Sequence, residues 1–170
     1  MTKIYRVTGQ SPKWQRISYD YVRTDAFVYG QSIPVEAEFY GDDTEEHLKA
    51  VVILEDHKPI AGCRIVFPKE GIGKIERVCV VREKQRCGIG AVLIAEAERW
   101  IAEFEIKHII IESQDRAVGF YNKVGYVTTN ADPENYGCHR PKRDDDAPPA
   151  MEVPFKAGFQ TILVEKHLDA

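Results

Sequence analysis

The order of elements along the chain predicts a single α/β (α+β) domain on a mixed sheet, antiparallel early, with a parallel crossover near the middle. Three observations carry this. Three β-rich runs, HLKAVVILE, IAGCRIVFP and IGKIERVCVV (47–55, 60–68 and 72–81), follow one another across DHKP and KEG, connections short enough for an antiparallel meander. The third run leads into the helical GAVLIAEAERWIAEF (90–104) and then the apolar HIIIE (108–112). A parallel neighbour needs such a crossover helix, so a β–α–β unit spans Ile75 to Glu112. Finally, 170 residues are about one domain and allow one sizeable core, with roughly 70% of the unfolded surface removed from water.

Taken in order, KIYRVT (3–8) alternates and reads as a first strand. The segment Trp14–Gly30 reads as one helix, with Ile17, Tyr21, Val22 and Val28 near helical spacing and Gly30 as its stop. SIPVEAEFYGDDTEE (32–46) holds six acids and no base, and by composition it is a loop. The helix at 90–104 is expected to bury Leu93, Ala97, Trp100 and Phe104 and to expose Glu96, Arg99 and Glu103. A second helix, DRAVGFYNKV (115–124), ends at Gly125, and TILVEKHL (161–168) closes the chain as a strand. Between them, Asn130 to Pro154 carries five of the nine prolines and reads as a surface loop.

Composition excludes several function classes. The chain is 44% hydrophobic and 29% charged, too apolar for a disordered protein. A net charge of −4 provides no general attraction to nucleic acid or to an anionic membrane, so neither is an expected partner. No apolar run approaches the roughly 20 residues of a membrane span, and MTKIYRVTGQ lacks the apolar core of a secretory signal, which makes the cytoplasm the expected compartment. Cys63, Cys79, Cys87 and Cys138 show no C-x-x-C pairing, so the cysteine spacing suggests no metal site or redox motif.

The stretch RVCVVREKQRCGIGAVLIAEAERW (77–100) is the most informative. It runs from a strand through a basic loop with two glycines into a helix. A helix N-terminus leaves about four backbone N–H groups unpartnered and carries the positive end of the macrodipole, so it attracts phosphate. Gly88 and Gly90 remove side chains that would block the approach, and Gln85 and Arg86 add donors. The same glycines also suit a simple tight strand-to-helix turn. Neither the dinucleotide fingerprint nor the P-loop fits, because Leu93 stands at the third glycine position and Gly-Lys-Ser/Thr is absent.

In its form Q-x-x-G-x-G between a strand and a helix, this stretch resembles the acyl-CoA pyrophosphate loop of the GNAT superfamily, the Gcn5-related N-acetyltransferases. AVGFYNKVGY (117–126) resembles the family's second signature, A-x-x-F-Y-x-K-x-G-F, with Tyr126 at its last position. VRTDAFVYGQSIPVEAEFYGDD (22–43) is similar to the N-terminal pattern of the small bacterial ElaA/YjcF-like acetyltransferases. Gly30 departs from that pattern where Glu is usual, Thr161 stands where a histidine is usual, and Gln114 takes the place of a common asparagine. These departures bear on the acceptor and leave the acyl-CoA assignment intact.

The resemblance implies one domain over residues 1–170, a GNAT-like twisted sheet with helices on both faces, and acetyl-CoA as co-substrate without a metal. It implies direct attack of a primary amine on the thioester. Such an amine, with a pKa near 10.4, is about one part in a thousand or less neutral at pH 7, so a base, a water chain or desolvation must help. Tyr121 holds the place of the family tyrosine that sits near the coenzyme sulfur, which suits an acid for the thiolate; otherwise Phe120 and Tyr121 are core aromatics. Glu76 is the candidate base, sharing a face with Val78 and Val80 by period two, where apolar neighbours would raise its pKa. The alternative is a surface glutamate paired with Lys74 or Arg64.

The backbone of Val78, Cys79 and Val80 is expected to pair with pantetheine, helped by a β-bulge that splays the parallel strands. Gln85, Arg86, Cys87, Gly88, Ile89, Gly90 and Ala91 are expected to hold the pyrophosphate, with Gln114 also in the coenzyme site. The expected partner is a small-molecule or peptide amine, and family members are often dimers, so a homodimer is admitted. The acids of 36–46 suit a cationic acceptor or simply a solvated face. Two rival classes stand beside the transferase: a non-catalytic acyl-CoA-binding module, and an interaction domain retaining only the fold.

Overall fold

The computed structural model describes residues 1–39, 46–138 and 158–169. A seven-stranded sheet runs in the order β1-β2-β3-β4-β5-β7-β6, with β1 Thr2–Thr8, β2 Lys49–Glu55, β3 Lys58–Lys69, β4 Ile72–Val80, β5 His108–Gln114, β6 Val127–Thr128 and β7 Thr161–His167. Strands β1 to β4 form the expected antiparallel meander. β4 and β5 are the parallel pair, joined by helix α3, and β7 pairs antiparallel with both β5 and β6. The helices are α1 Lys13–Arg23, α2 Val35–Glu38, α3 Ile89–Ala102 and α4 Val118–Lys123. No helix among the described residues is long and apolar enough to cross a membrane.

Alternation along β2 divides the core, as period two requires. Ala50, Val52 and Leu54 pack with Val7 and with Tyr19 of α1. Val51 and Ile53 join Ala61, Cys63, Ile65 and Ile75 in the main cluster with Leu93, Ile94, Ala97, Trp100 and Ile101 of α3. A third, smaller cluster, Ile72, Ile110, Cys138 and Leu163, lies under the segment Ala131–Cys138.

Several local expectations are corrected. The N-terminal helix changes register: α1 ends at Arg23 and a π-helical turn, Thr24–Tyr29, continues it. Gly30 keeps a right-handed helical backbone, and the left-handed residue that ends the segment is Ser32, at φ 57°. Ile17 and Tyr21 point outward, each 55% exposed, while Ser18, Tyr19, Val22 and Arg23 face inward. Within the expected acidic loop, residues 35–38 form α2 and Glu38 is buried; Asp42, Asp43 and Glu45 lie outside the described residues. Of the proline-rich segment, residues 139–154 lie outside them as well.

Helix α3 stops at Ala102, so Phe104 falls past its end and is 47% exposed, its ring tilted against Phe67 at 5.0 Å. Glu96, expected on the exposed face, is partly covered by Arg6 of β1, whose Nε donates to it at 2.7 Å. Cys63, Cys79 and Cys138 are buried and Cys87 is exposed.

Candidate active site

The site originates in one backbone irregularity. On β4, Gly62 of β3 faces Cys79 and Arg64 faces Glu76, so Cys63 alone stands opposite Arg77 and Val78. Arg77 is the inserted residue, in the left-handed region at φ 52°. Such a bulge bends its strand and sharpens its twist. Pairing between β4 and β5 runs only through Ile72–His108, Gly73–Ile109 and Lys74–Ile110. Beyond Lys74 the strands part, and the edge of β4 facing β5 is left unpaired from Ile75 onward.

A cavity of about 1220 Å³ opens into this gap. Its walls include Glu76, Arg77 and Val78 from β4, Ile111, Glu112 and Gln114 from β5, and Tyr121 from α4. Phe27 of the π turn, Gln31 and Glu38 close the N-terminal side, and Thr161 to Leu163 of β7 the far side. Five successive β4 residues, Lys74 to Val78, border the cavity where the strand edge turns toward it, and Val80 does not; the bulge at Arg77 interrupts the expected face shared by Glu76, Val78 and Val80. No histidine lines the cavity among the described residues.

Charge in the cavity is paired across strands. Arg64 Nε donates to Glu76 Oε2 at 3.1 Å, and Lys74 Nζ lies 2.8 Å from Glu76 Oε1 and 2.7 Å from Glu112 Oε2. Burial works to raise the Glu76 carboxyl, but Lys74 and Arg64 outweigh it and hold it below the usual carboxylate range. The apolar surroundings expected for Glu76 are thus replaced by two cations, which weaken it as a base. Burial also opposes the Lys74 charge, yet Glu76 and Glu112 hold its pKa above the ordinary value. Beneath the opposite wall, Arg23 Nε donates to Glu38 Oε1 at 2.8 Å and its Nη2 donates to the Glu38 carbonyl at 2.6 Å, both residues almost fully buried.

Tyr121 is 5% exposed and faces the gap between the strands. Burial, with the nearby Cys63 and Cys79, pushes its phenol well above the ordinary tyrosine value. The group is therefore protonated at neutral pH and available as a donor. Its ring meets Phe120 and Tyr126 edge-on, at 5.0 and 6.0 Å, which holds it in place.

The glycine loop lies at the end of β4. A 3-10 turn, Arg82–Lys84, leads to Arg86 at φ 64° and Gly88 at φ 80°, and α3 starts at Ile89 without a side-chain cap. Its first backbone N–H groups are thus free of side-chain partners, as an anion site requires. The two glycines have different causes. Gly88 has open space around it and is required by its backbone angle. Gly90 is required by packing, because a Cβ there would come within 2.9 Å of Phe120 Cζ.

Gln85, expected to face phosphate, instead donates Nε2 to the Val80 carbonyl at 3.1 Å. Arg86, Cys87 and Ala91 are exposed at the surface, and Ile89 is half-buried. The loop is tied to the π turn, where Arg82 donates its backbone N–H to Asp25 Oδ2 at 2.8 Å. Of the residues read from the sequence, Glu76, Val78, Gln114 and Tyr121 share the cavity, while Cys79, Val80 and 85–91 do not line it. Gln114 accepts from Arg116 Nε at 3.0 Å and donates to Gln31 at 2.9 Å. Sequence reasoning missed Arg77, Glu112 and Gln31. Only Glu112 carried a signal, as a charge ending an otherwise apolar strand.

The unpaired β4 edge and the uncapped, exposed start of α3 fit an extended phosphate-bearing ligand such as coenzyme A. Comparison with known proteins agrees. Residues 17–140 match the Acetyltransferase (GNAT) domain family. The chain is 34% identical over 106 residues, 62% of its length, to the uncharacterized N-acetyltransferase YjcF of Bacillus subtilis, covering 74% of that protein. Its fold is that of Escherichia coli ElaA (TM-score 0.71, 17% identity, 98% and 100% of the two chains). It also resembles the catalytic domain of the Tetrahymena Gcn5 histone acetyltransferase in complex with coenzyme A (TM-score 0.65, 15% identity, 99% and 94%).

Proposed function

Because the chain belongs to the GNAT acetyltransferase family, we propose that it transfers an acetyl group from acetyl-CoA directly to a primary amine. The observation that carries this reading is the parting of β4 and β5 beyond Lys74 and Ile110, with Tyr121 facing the gap and the glycine loop at the end of the same strand. Acetyl-CoA, when bound, supplies the activated thioester. The β4 edge at Val78 to Val80, which no strand pairs on the side of β5 though Gln85 already holds the Val80 carbonyl, takes the extended arm, and the loop and first turn of α3, Arg86 to Ala91, take the phosphates.

Within this reading Tyr121 is the acid. Its phenol stays protonated and hydrogen-bonds to the departing sulfur, and the burial that raises it also makes it a weaker acid. Glu76 remains the candidate proton acceptor from the amine, acting through water, since Arg64 and Lys74 keep it ionised and make it a weak base. Paired charges on the wall, three cations and three acids counting Glu38 and Arg77, allow a polar acceptor.

The weakened base also favours a second reading, an acyl-CoA-binding module without turnover. The deciding experiment is calorimetric titration of the full chain with acetyl-CoA, with Gly88→Glu as control, followed by a panel of amines. Micromolar binding lost in the control, with coenzyme A released on one amine, supports the transferase. Binding without release on any amine selects the second reading, and absence of binding removes both.

A further inference from the structure

At the closed end of the sheet, away from the cavity, three side chains that the proposed reaction does not use come together. Glu165 and His167 are two residues apart on β7 and so share one face. His108, the first residue of β5, stands directly opposite His167 in the register. One ligand atom from each of these three residues lies within 4.8 Å of the other two. We propose that His108, Glu165 and His167 form a binding site for a divalent transition-metal ion of the zinc class.

The chemistry of the donors selects the ion. Two imidazoles and one carboxylate suit zinc and its neighbours, whereas magnesium and calcium require oxygen ligands. Spacing supports the assignment. His108 Nε2 lies 2.9 Å from Glu165 Oε2. With metal–ligand bonds of about 2.0–2.1 Å, two adjacent donors of one ion sit roughly 2.9–3.4 Å apart. This pair already has the separation of one edge of a coordination shell, and the ion takes the place of the proton they share. The ring of His167 stacks on His108 at 4.2 Å and 20°, and being exposed it can turn its nitrogen inward.

The outer contacts of a metal site are present too. Ligands of such sites are ordinarily oriented by a further hydrogen bond. Tyr136, from the 3-10 turn Pro133–Tyr136, donates its hydroxyl to Glu165 Oε2 at 3.0 Å and stands edge-on to His108 at 5.0 Å. Because His108 is paired with Ile72 where β4 and β5 are still joined, the ion would clip β5, β7 and the 133–136 turn together, outside the coenzyme cleft.

The test uses the full chain without an affinity tag, freed of metal by chelation and titrated calorimetrically with zinc chloride and, in parallel, magnesium chloride. Zinc is expected to bind one to one and magnesium not at all. His167→Ala, at an exposed position, and Glu165→Gln should each weaken zinc binding at least about tenfold, and Tyr136→Phe by roughly tenfold. Zinc should also raise the melting temperature of the parent chain, and that of His167→Ala by clearly less at the same zinc concentration. Failure of the parent to bind zinc overturns the proposal. So does equal binding by the parent and both ligand variants, since the ion would then sit elsewhere, for example on the exposed Cys87.

Discussion

Gly90, in the first turn of α3, lies against the ring of Phe120 on α4, so close that a single Cβ would meet Phe120 Cζ at 2.9 Å. The next residue after Phe120 is Tyr121. The glycine that a phosphate-loop reading explains by ligand access is therefore also the contact that seats the helix carrying the proposed acid.

Gly90→Ala should accordingly destabilise. Alanine gains up to about 1 kcal/mol over glycine inside a helix, less in a first turn, while overpacking costs roughly 1–3 kcal/mol. Overpacking wins, and the melting temperature should fall by a few degrees. Adding Phe120→Leu should recover most of the loss. Thermal melting of the single and double variants checks this; an unchanged single variant would refute the packing account.

Gly88 predicts a different pattern. Nothing lies within 4 Å of a Cβ there, but the backbone sits at φ 80°, which costs a non-glycine residue about 1–2 kcal/mol. Gly88→Glu should keep the fold and lose affinity for acetyl-CoA by at least about tenfold, through strain and the negative charge at a helix N-terminus. Calorimetry on a variant shown folded by circular dichroism decides it, and unchanged affinity would separate the loop from the coenzyme.

Tyr121→Phe should lower kcat on the order of a hundredfold, the usual range for a lost general acid, with KM for acetyl-CoA within about threefold. Because the Tyr121 phenol is raised above its ordinary value, it loses no proton between pH 6 and 9, so the parent's pH–rate profile should show no alkaline limb from this group in that range. A variant as active as the parent would assign Tyr121 to the core.

Glu76 carries a stability prediction with a definite sign. Its folded pKa is depressed, so its contribution is complete above the unfolded value near 4.5 and is lost as pH falls through the lower folded value. Lys74, raised, behaves oppositely: its contribution is complete below about 10.5 and lost as pH rises through the higher folded value. Glu76→Gln removes the charge that both Arg64 and Lys74 contact and should cost about 1–3 kcal/mol at pH 7, the gap closing under acid. Denaturant unfolding at pH 7 and pH 3 measures both; a gap that widened in acid would reverse the sign.

The pair Arg23–Glu38 is the most deeply buried ionic contact described. Removing one partner, as in Glu38→Ala, should cost about 3–5 kcal/mol, whereas replacing both with apolar residues of similar size should cost far less. A double-mutant cycle by chemical denaturation tests this, and additive losses would contradict coupling.

Much of the architecture was legible in one dimension. The short connections of the meander, the apolar HIIIE after a helix, and two ordered signatures around Gly88 and Tyr121 led to the family and to the sheet now seen. These are local signals, carried by turn chemistry, periodicity and spacing. Where periodicity was the sole guide it failed locally. Ile17, Tyr21 and Val22 stand near helical spacing, yet Ile17 and Tyr21 are exposed and the interior contacts of α1 are made by Tyr19, Val22 and Arg23, on the face the neighbouring sheet covers.

The sequence by itself therefore determined the order of the elements, the glycine loop between β4 and α3, and the tyrosine following Phe120. Tertiary structure alone decided how those parts meet. The bulge at Arg77 breaks the alternation of β4 where the strand borders the cavity. Glu76 became a doubly paired carboxylate only when β3 carried Arg64 across to it, and His108 met Glu165 and His167 only through pairing between strands more than fifty residues apart in sequence. Charge and hydrogen bonding depend on separations of a few ångströms, and separations of that kind between distant segments are created by packing.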